Sequence, residues 1–208
     1  VESTTTIPHF YVTAKVLVES LSKLRTSLKP LPQYEGLTYN HLLIRACALA
    51  LRVVPRINAA YVQGNLVQPQ DVNIGIVTAV PDGLLIPVLK RADELPLADI
   101  VAEGRGLVQR ARNGRPKPED LVGGTFSISN MGIFDVESFT AIISPGQGAI
   151  LAVSPIQEEP VVVDGAVRVG SVMRLTLSVD HRIIDGVMAG EFLTEIKRLL
   201  QDPVLLLA

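Results

Sequence analysis

The segment Ser178-Val179-Asp180-His181-Arg182-Ile183-Ile184-Asp185-Gly186 holds the residues best suited to chemistry. A histidine titrates near neutrality, so it can take a proton from a nucleophile and return it within one turnover. His181 follows an alternating apolar run, Met173, Leu175, Leu177 and Val179, which reads as a strand, and precedes an Asp-Gly turn and a helix. Strand ends that enter turns are where a rigid scaffold holds reacting groups. The plainer alternative is that His181 merely closes a strand and Asp185 merely caps a helix; spacing alone leaves both open.

A second candidate lies in Ser127-Ile128-Ser129-Asn130, where strand alternation puts both serines on one face. A hydroxyl near a strand end can donate to a developing oxyanion, and removing such a donor typically costs about 10²–10³ in rate. A strand serine is also an ordinary surface or cross-strand residue. The other histidines read as structural: His9 starts a strand and His41 sits at a helix start. Cys47, inside the apolar stretch Leu42 to Leu51, reads as core packing, because a buried cysteine behaves as a small hydrophobe.

These residues must be held by alternating strands and helices. His9 to Val18 carries Phe10, Val12, Ala14, Val16 and Val18 at strand spacing, and Glu19 to Leu28 reads as a helix broken by Pro30 and Pro32. Thr38 is placed to cap a helix from Tyr39 to Val54, ended by Pro55. Ala59 to Val67 reads as a hairpin. Val72 to Ala79 and Leu84 to Leu89 read as arms joined by a turn at Val80-Pro81-Asp82-Gly83. Leu97 to Arg112 reads as a helix stopped by Asn113-Gly114. Strands follow at Thr125 to Ser129, Gly148 to Val153, Val161 to Val163 and Val167 to Val179, and a helix from Val187 to Leu200 closes an α/β sandwich of one domain.

Composition excludes several functions. A net charge of −2, 4% aromatic residues and no Trp offer neither a basic face nor stacking platforms for nucleic acid. No uncharged apolar run reaches the ~18 residues of a membrane span, and no signal peptide is visible. One cysteine forbids an intrachain disulfide and fits an intracellular setting. Three scattered histidines and that cysteine give no metal set, and no Gly-x-Ser-x-Gly elbow, P-loop or dinucleotide fingerprint appears. The 48% apolar content exceeds the needs of one core and points to subunit interfaces. A start at Val1, without Met, reads as a piece of a longer protein.

His181-Arg182-Ile183-Ile184-Asp185-Gly186 resembles the active-site signature of the dihydrolipoamide acyltransferases, the cores of the 2-oxoacid dehydrogenase complexes, distantly related to chloramphenicol acetyltransferase. Pro8-His9-Phe10, Asn73 to Ile76 with Pro81 to Leu84, Ala111-Arg112, Gly123 to Asn130 and the tail from Asp202-Pro203 fall in that family's order, so residues 1–208 resemble one acyltransferase catalytic domain, with lipoyl and peripheral-subunit-binding domains elsewhere. The resemblance implies a two-layer α/β sandwich of mixed sheet and helices that forms trimers. It implies His181 as general base, Ser129 as oxyanion donor, Asp185 as holder of site geometry, Asn130 lining the same channel, and Arg25 paired with Asp185, with Arg182 structural. Coenzyme A would be a substrate, the lipoyl group would ride on a separate domain, and no metal would be needed.

It further implies a site between subunits of a homotrimer, His181 of one chain facing Ser129 of the next, with trimers built into a hollow core through Val204-Leu205-Leu206-Leu207. Decarboxylase and dihydrolipoamide dehydrogenase components would be the partners, in the cytoplasm of a bacterium or the mitochondrial matrix of a eukaryote. Ser129 to Phe134 and Ser138 to Ile143 are more similar to acetyltransferase cores of pyruvate dehydrogenase than to succinyl or branched-chain types, acetoin dehydrogenase cores being much alike, although Asp135 stands where that family usually has glycine. The rival expectations are a chloramphenicol-type O-acetyltransferase and a non-catalytic assembly core.

Overall fold

The computed structural model describes residues 2–208. In chain order the elements are α1 (Glu2–Thr6), β1 (His9–Leu17), α2 (Glu19–Leu28), α3 (Tyr39–Val53), β2 (Ala60–Val62), β3 (Asn65–Val67), β4 (Ile74–Ile76), β5 (Thr78–Val80), β6 (Gly83–Leu85), β7 (Val88–Leu89), α4 (Leu97–Arg112), β8 (Phe126–Asn130), β9 (Ala149–Val153), β10 (Gln157–Val163), β11 (Ala166–Asp180) and α5 (Gly186–Gln201). Seven strands form one mixed sheet in the order β1-β11-β9-β8-β4-β7, with β10 also on β11. β11 is long enough to serve two neighbourhoods: its first part pairs with β10, its second lies between β1 and β9.

Alternation gives this sheet two unlike faces. Phe126, Ile128, Leu151, Leu175, Leu177 and Val179 point into a core shared with α3 and α5, where Phe192 meets Phe126 edge-on with centroids 5.6 Å apart. α3 is apolar nearly all round, and Leu42, Leu43, Ile44, Cys47 and Leu51 are all buried, as expected of a helix enclosed by its neighbours. The opposite face carries Thr13, Thr176, Ser178, Ser127 and Ser129, which the strand registers bring together. Residues 131–147, nearly the whole connection between β8 and β9, cross that polar face without forming a helix or strand.

The expected arms differ in detail. Val72 to Ala79 is split into β4 and β5, which belong to different sheets, and Leu84 to Leu89 into β6 and β7. Pro87 interrupts the second arm because it has no N–H for a ladder, and its carbonyl instead accepts from Ile76 at 2.8 Å. The leucine tail, expected to seek a partner pocket, lies partly in its own chain. Residues Pro203–Leu207 form a 3-10 turn that buries Leu206 completely and leaves Val204 and Leu207 exposed. Buried Arg45 on α3 holds this turn by donating to the carbonyl oxygens of Leu206 at 3.4 Å and Ala208 at 2.6 Å.

Candidate active site

His181 leaves the sheet where β11 ends, and its turn is fastened on several sides. Its backbone N–H donates to Pro8 O at 2.9 Å, while the N–H groups of Ile183 and Ile184 return to Asp180 O. Asp180, 1% exposed, would be a costly buried charge, and Arg182 compensates it with a forked pair whose shortest contact is 2.6 Å. That hydrogen bond raises the affinity of Arg182 for its proton, and its guanidinium stacks on Tyr61 of β2, 4.4 Å from the ring centre. Arg56 Nε adds a bond to Ile183 O at 3.0 Å.

Within this turn the imidazole has one defined orientation. Nδ1 lies 3.0 Å from Ile184 O, an atom that can only accept, so Nδ1 carries the hydrogen and Nε2 is left with a free lone pair. Phe10 of β1 backs the ring at a centroid distance of 4.7 Å. The imidazole is otherwise exposed. A general base needs this arrangement: a fixed ring, a fixed tautomer and an open basic nitrogen.

Asp185 caps α5, its Oδ1 accepting from Met188 N at 2.9 Å. Within one chain no ion pair joins Asp185 to Arg25. α2 carries Arg25 against Tyr39 of α3, 4.8 Å from the ring centre, with Nε buried and unpartnered, while the Asp185 carboxylate is engaged at the α5 N-terminus. Asn130 Oδ1 accepts from Gly132 N at 2.7 Å and so shapes the turn after β8, and its Nδ2 reaches Asn40 at 3.5 Å.

Ser129 is half-buried on β8, level with Ala152 of β9 and, through it, with Thr176 of β11. His181, just past the end of β11, is five residues further along the chain than Thr176. At ~4.8 Å between strands and ~3.3 Å per residue, the two sites stand roughly 19 Å apart within one chain. One chain therefore cannot bring Ser129 and His181 to one reacting atom.

The other histidines have separate duties. His41 belongs to the α3 cap, its Nδ1 3.1 Å from both the N–H and the hydroxyl of Thr38, and burial lowers its pKa to about 4. His9 bridges Ile7 O and Ile143 N. Burial raises the Cys47 thiol well above the ordinary range, leaving it inert at neutral pH. Among the described residues no group of three or more His, Cys, Asp or Glu could hold a metal, and no helix is long and apolar enough to cross a membrane. Sequence reasoning passed over Phe10 as a site residue; its signal was the Pro8-His9-Phe10 motif, whose proximity to His181 only strand pairing reveals.

The family model described as 2-oxoacid dehydrogenases acyltransferase (catalytic domain) matches residues 1–208. The dihydrolipoyllysine-residue acetyltransferase component of the mitochondrial pyruvate dehydrogenase complex of Schizosaccharomyces pombe is 41% identical over 98% of this chain, which spans 43% of that protein. A crystal structure of Azotobacter vinelandii dihydrolipoamide acetyltransferase, from work on a serine, a histidine and an asparagine in its catalytic mechanism, is 31% identical with a TM-score of 0.94, covering 100% of this chain and 87% of that one. Chloramphenicol acetyltransferase, 14% identical with a TM-score of 0.65 over 93% of this chain and 89% of its own, shares the fold.

Proposed function

Because the chain belongs to the 2-oxoacid dehydrogenase acyltransferase catalytic-domain family, we propose that it moves an acetyl group between dihydrolipoamide and coenzyme A. The observation that carries this reading is the His181 imidazole, held at Nδ1 by a carbonyl and open at Nε2. In the Azotobacter enzyme the histidine follows the serine by 52 residues and precedes the asparagine by 4, the spacings that separate Ser129, His181 and Asp185 here. The third position differs, aspartate standing for asparagine, and both can cap α5.

An unperturbed thiol is only a few per cent thiolate at pH 7. In the proposed cycle His181 Nε2 takes the proton of coenzyme A, and the thiolate attacks the thioester carbonyl of acetyl-dihydrolipoamide, forming the new C–S bond. The Ser129 hydroxyl donates to the resulting oxyanion. Collapse breaks the old C–S bond, and the imidazolium returns its proton to the leaving lipoyl sulfur. The cycle needs no acyl-enzyme and no metal. The wide separation within one chain supports a site shared between subunits, His181 from one and Ser129 from its neighbour, in a homotrimer. Exposed Val204 and Leu207 are proposed to join such trimers into a larger core.

The lipoyl carrier would ride on a separate domain, with decarboxylase and dihydrolipoamide dehydrogenase components as partners, and a cytoplasmic setting is favoured. A thiol-release assay with acetyl-CoA and free dihydrolipoamide tests the reading. Turnover there and none with chloramphenicol is the expected result. Activity only with chloramphenicol favours the O-acetyltransferase rival, and activity with neither favours a non-catalytic core.

A further inference from the structure

The connection from 131 to 147 is a strap, longer than most loops between paired elements, and loops of that length usually serve function. It is fastened to the polar sheet face and to α1 chiefly by hydrogen bonds. Ser178 Oγ donates to Ala141 O at 2.7 Å, Ser3 Oγ to Ile143 O at 2.6 Å, and Ser127 Oγ to Gln147 at 2.7 Å. Ile143 is buried, but Ile133, Phe134 and Ile142 stand exposed.

One fastening comes from the strand that also backs the base. His9 Nδ1 donates to Ile7 O at 2.8 Å, which leaves Nε2 as the acceptor for Ile143 N at 3.2 Å. Its neighbours do different work: Pro8 O holds the His181 backbone, and Phe10 stacks on the His181 ring. Three consecutive residues thus connect the His181 turn to the far end of the strap, and the near end of the strap begins beside Ser129.

We propose that His9 is a positioning residue for thiol-to-thiol acyl transfer: through Ile143 it holds the strap, and with it the Ser129 end of the polar face, in a set relation to the His181 turn. The proposal rests on the acyltransfer reading. Its physical content is that both halves of a catalytic pair presented to a neighbouring chain must be registered on one rigid face, since small misplacements of reacting groups cost rate.

Three variants of the full chain separate the two bonds of His9. His9→Gln places an acceptor oxygen the same number of bonds from Cα as Nε2 and can keep the Ile143 bond. His9→Asn can keep the Ile7 bond but is too short for Ile143, and His9→Ala keeps neither. Hydrogen exchange of the peptide containing Ile143 and steady-state acetyl transfer are measured together. Asn and Ala should speed exchange and lower kcat by about 2- to 10-fold, the worth of one net hydrogen bond, with KM changed less, while Gln behaves like the wild type. Unchanged exchange in all three variants, Gln as impaired as Ala, or faster exchange with normal kcat each overturns the proposal. A wild-type protein without turnover overturns the acyltransfer reading and the catalytic role with it, a result the exchange data distinguish from a failure of the fastening itself.

Discussion

The ring of Phe10 lies against the imidazole of His181, the centroids 4.7 Å apart and the planes tilted by 31°. Phe10 belongs to the first strand and His181 directly follows the eleventh, and the pairing of His9 with Asp180 brings them together. An aromatic face beside an imidazole limits its rotation and favours its protonated form, the imidazolium that the proposed thiol deprotonation would create.

Phe10→Leu keeps an apolar side chain of similar size and removes the aromatic face. The expected result is a fall in kcat of about 2- to 10-fold, as an aromatic pair is worth roughly 0.5–1.5 kcal/mol beyond its buried area. Steady-state kinetics check it, and the expected KM is close to that of the wild type.

The separation of Ser129 and His181 within one chain predicts complementation. His181→Ala should lower kcat by at least ~10²-fold and Ser129→Ala by about 10²–10³-fold, each in an intact oligomer. Refolding the two variants together should restore a fraction of the activity, since some interfaces then pair an intact histidine with an intact serine. Mixed assemblies as inactive as either parent would contradict a shared site.

The tail makes two separable contributions. Leu206 is fully buried in its own chain, so Leu206→Ala should cost about 2–5 kcal/mol in urea unfolding. Val204→Ser and Leu207→Ser alter exposed positions and should change that stability little, while lowering particle size by light scattering if those side chains join trimers. Deleting 204–208 is therefore expected to destabilise the subunit itself.

His41 gives the fold a pH dependence of its own. Burial lowers its pKa from 6.5 to about 4, so as pH falls the unfolded chain takes up a proton that the folded chain refuses. The stabilisation is fully present above pH 6.5 and is lost between pH 6.5 and about 4, on the order of 3 kcal/mol in all. His41→Gln should flatten that part of a stability-versus-pH curve measured by denaturant unfolding.

The long elements were legible because their periods are strong. The alternation from Phe10 to Val18, the helix from Leu97 to Arg112 and the capped helix after Thr38 lie within a residue or so of the observed bounds. The placement of His181 between a strand end and a helix was legible because the alternation up to Val179 and the Asp-Gly pair mark both boundaries. The missed features depend on residues far apart in the chain: Arg45 reaching the carbonyl of Ala208, Phe10 meeting His181, and His9 holding Ile143. No local period encodes such contacts. Within one chain the Asp185 carboxylate caps α5 and Arg25 lies against Tyr39, so the expected pairing of the two is not made there.

The two unlike faces of the sheet bear on how such a protein can vary. Phe126, Ile128, Leu151 and Leu177 are locked into dense packing, where one methylene is felt throughout the core. Ser127 and Ser178 are hydrogen-bonded instead to a segment without regular structure. Mutations in that segment can reshape what the serines see without disturbing the helices behind the sheet. A library confined to residues 131–142 would therefore vary the surface beside those serines in a population that still folds, whereas the same diversity on the other face would be removed by unfolding before any functional change could be read.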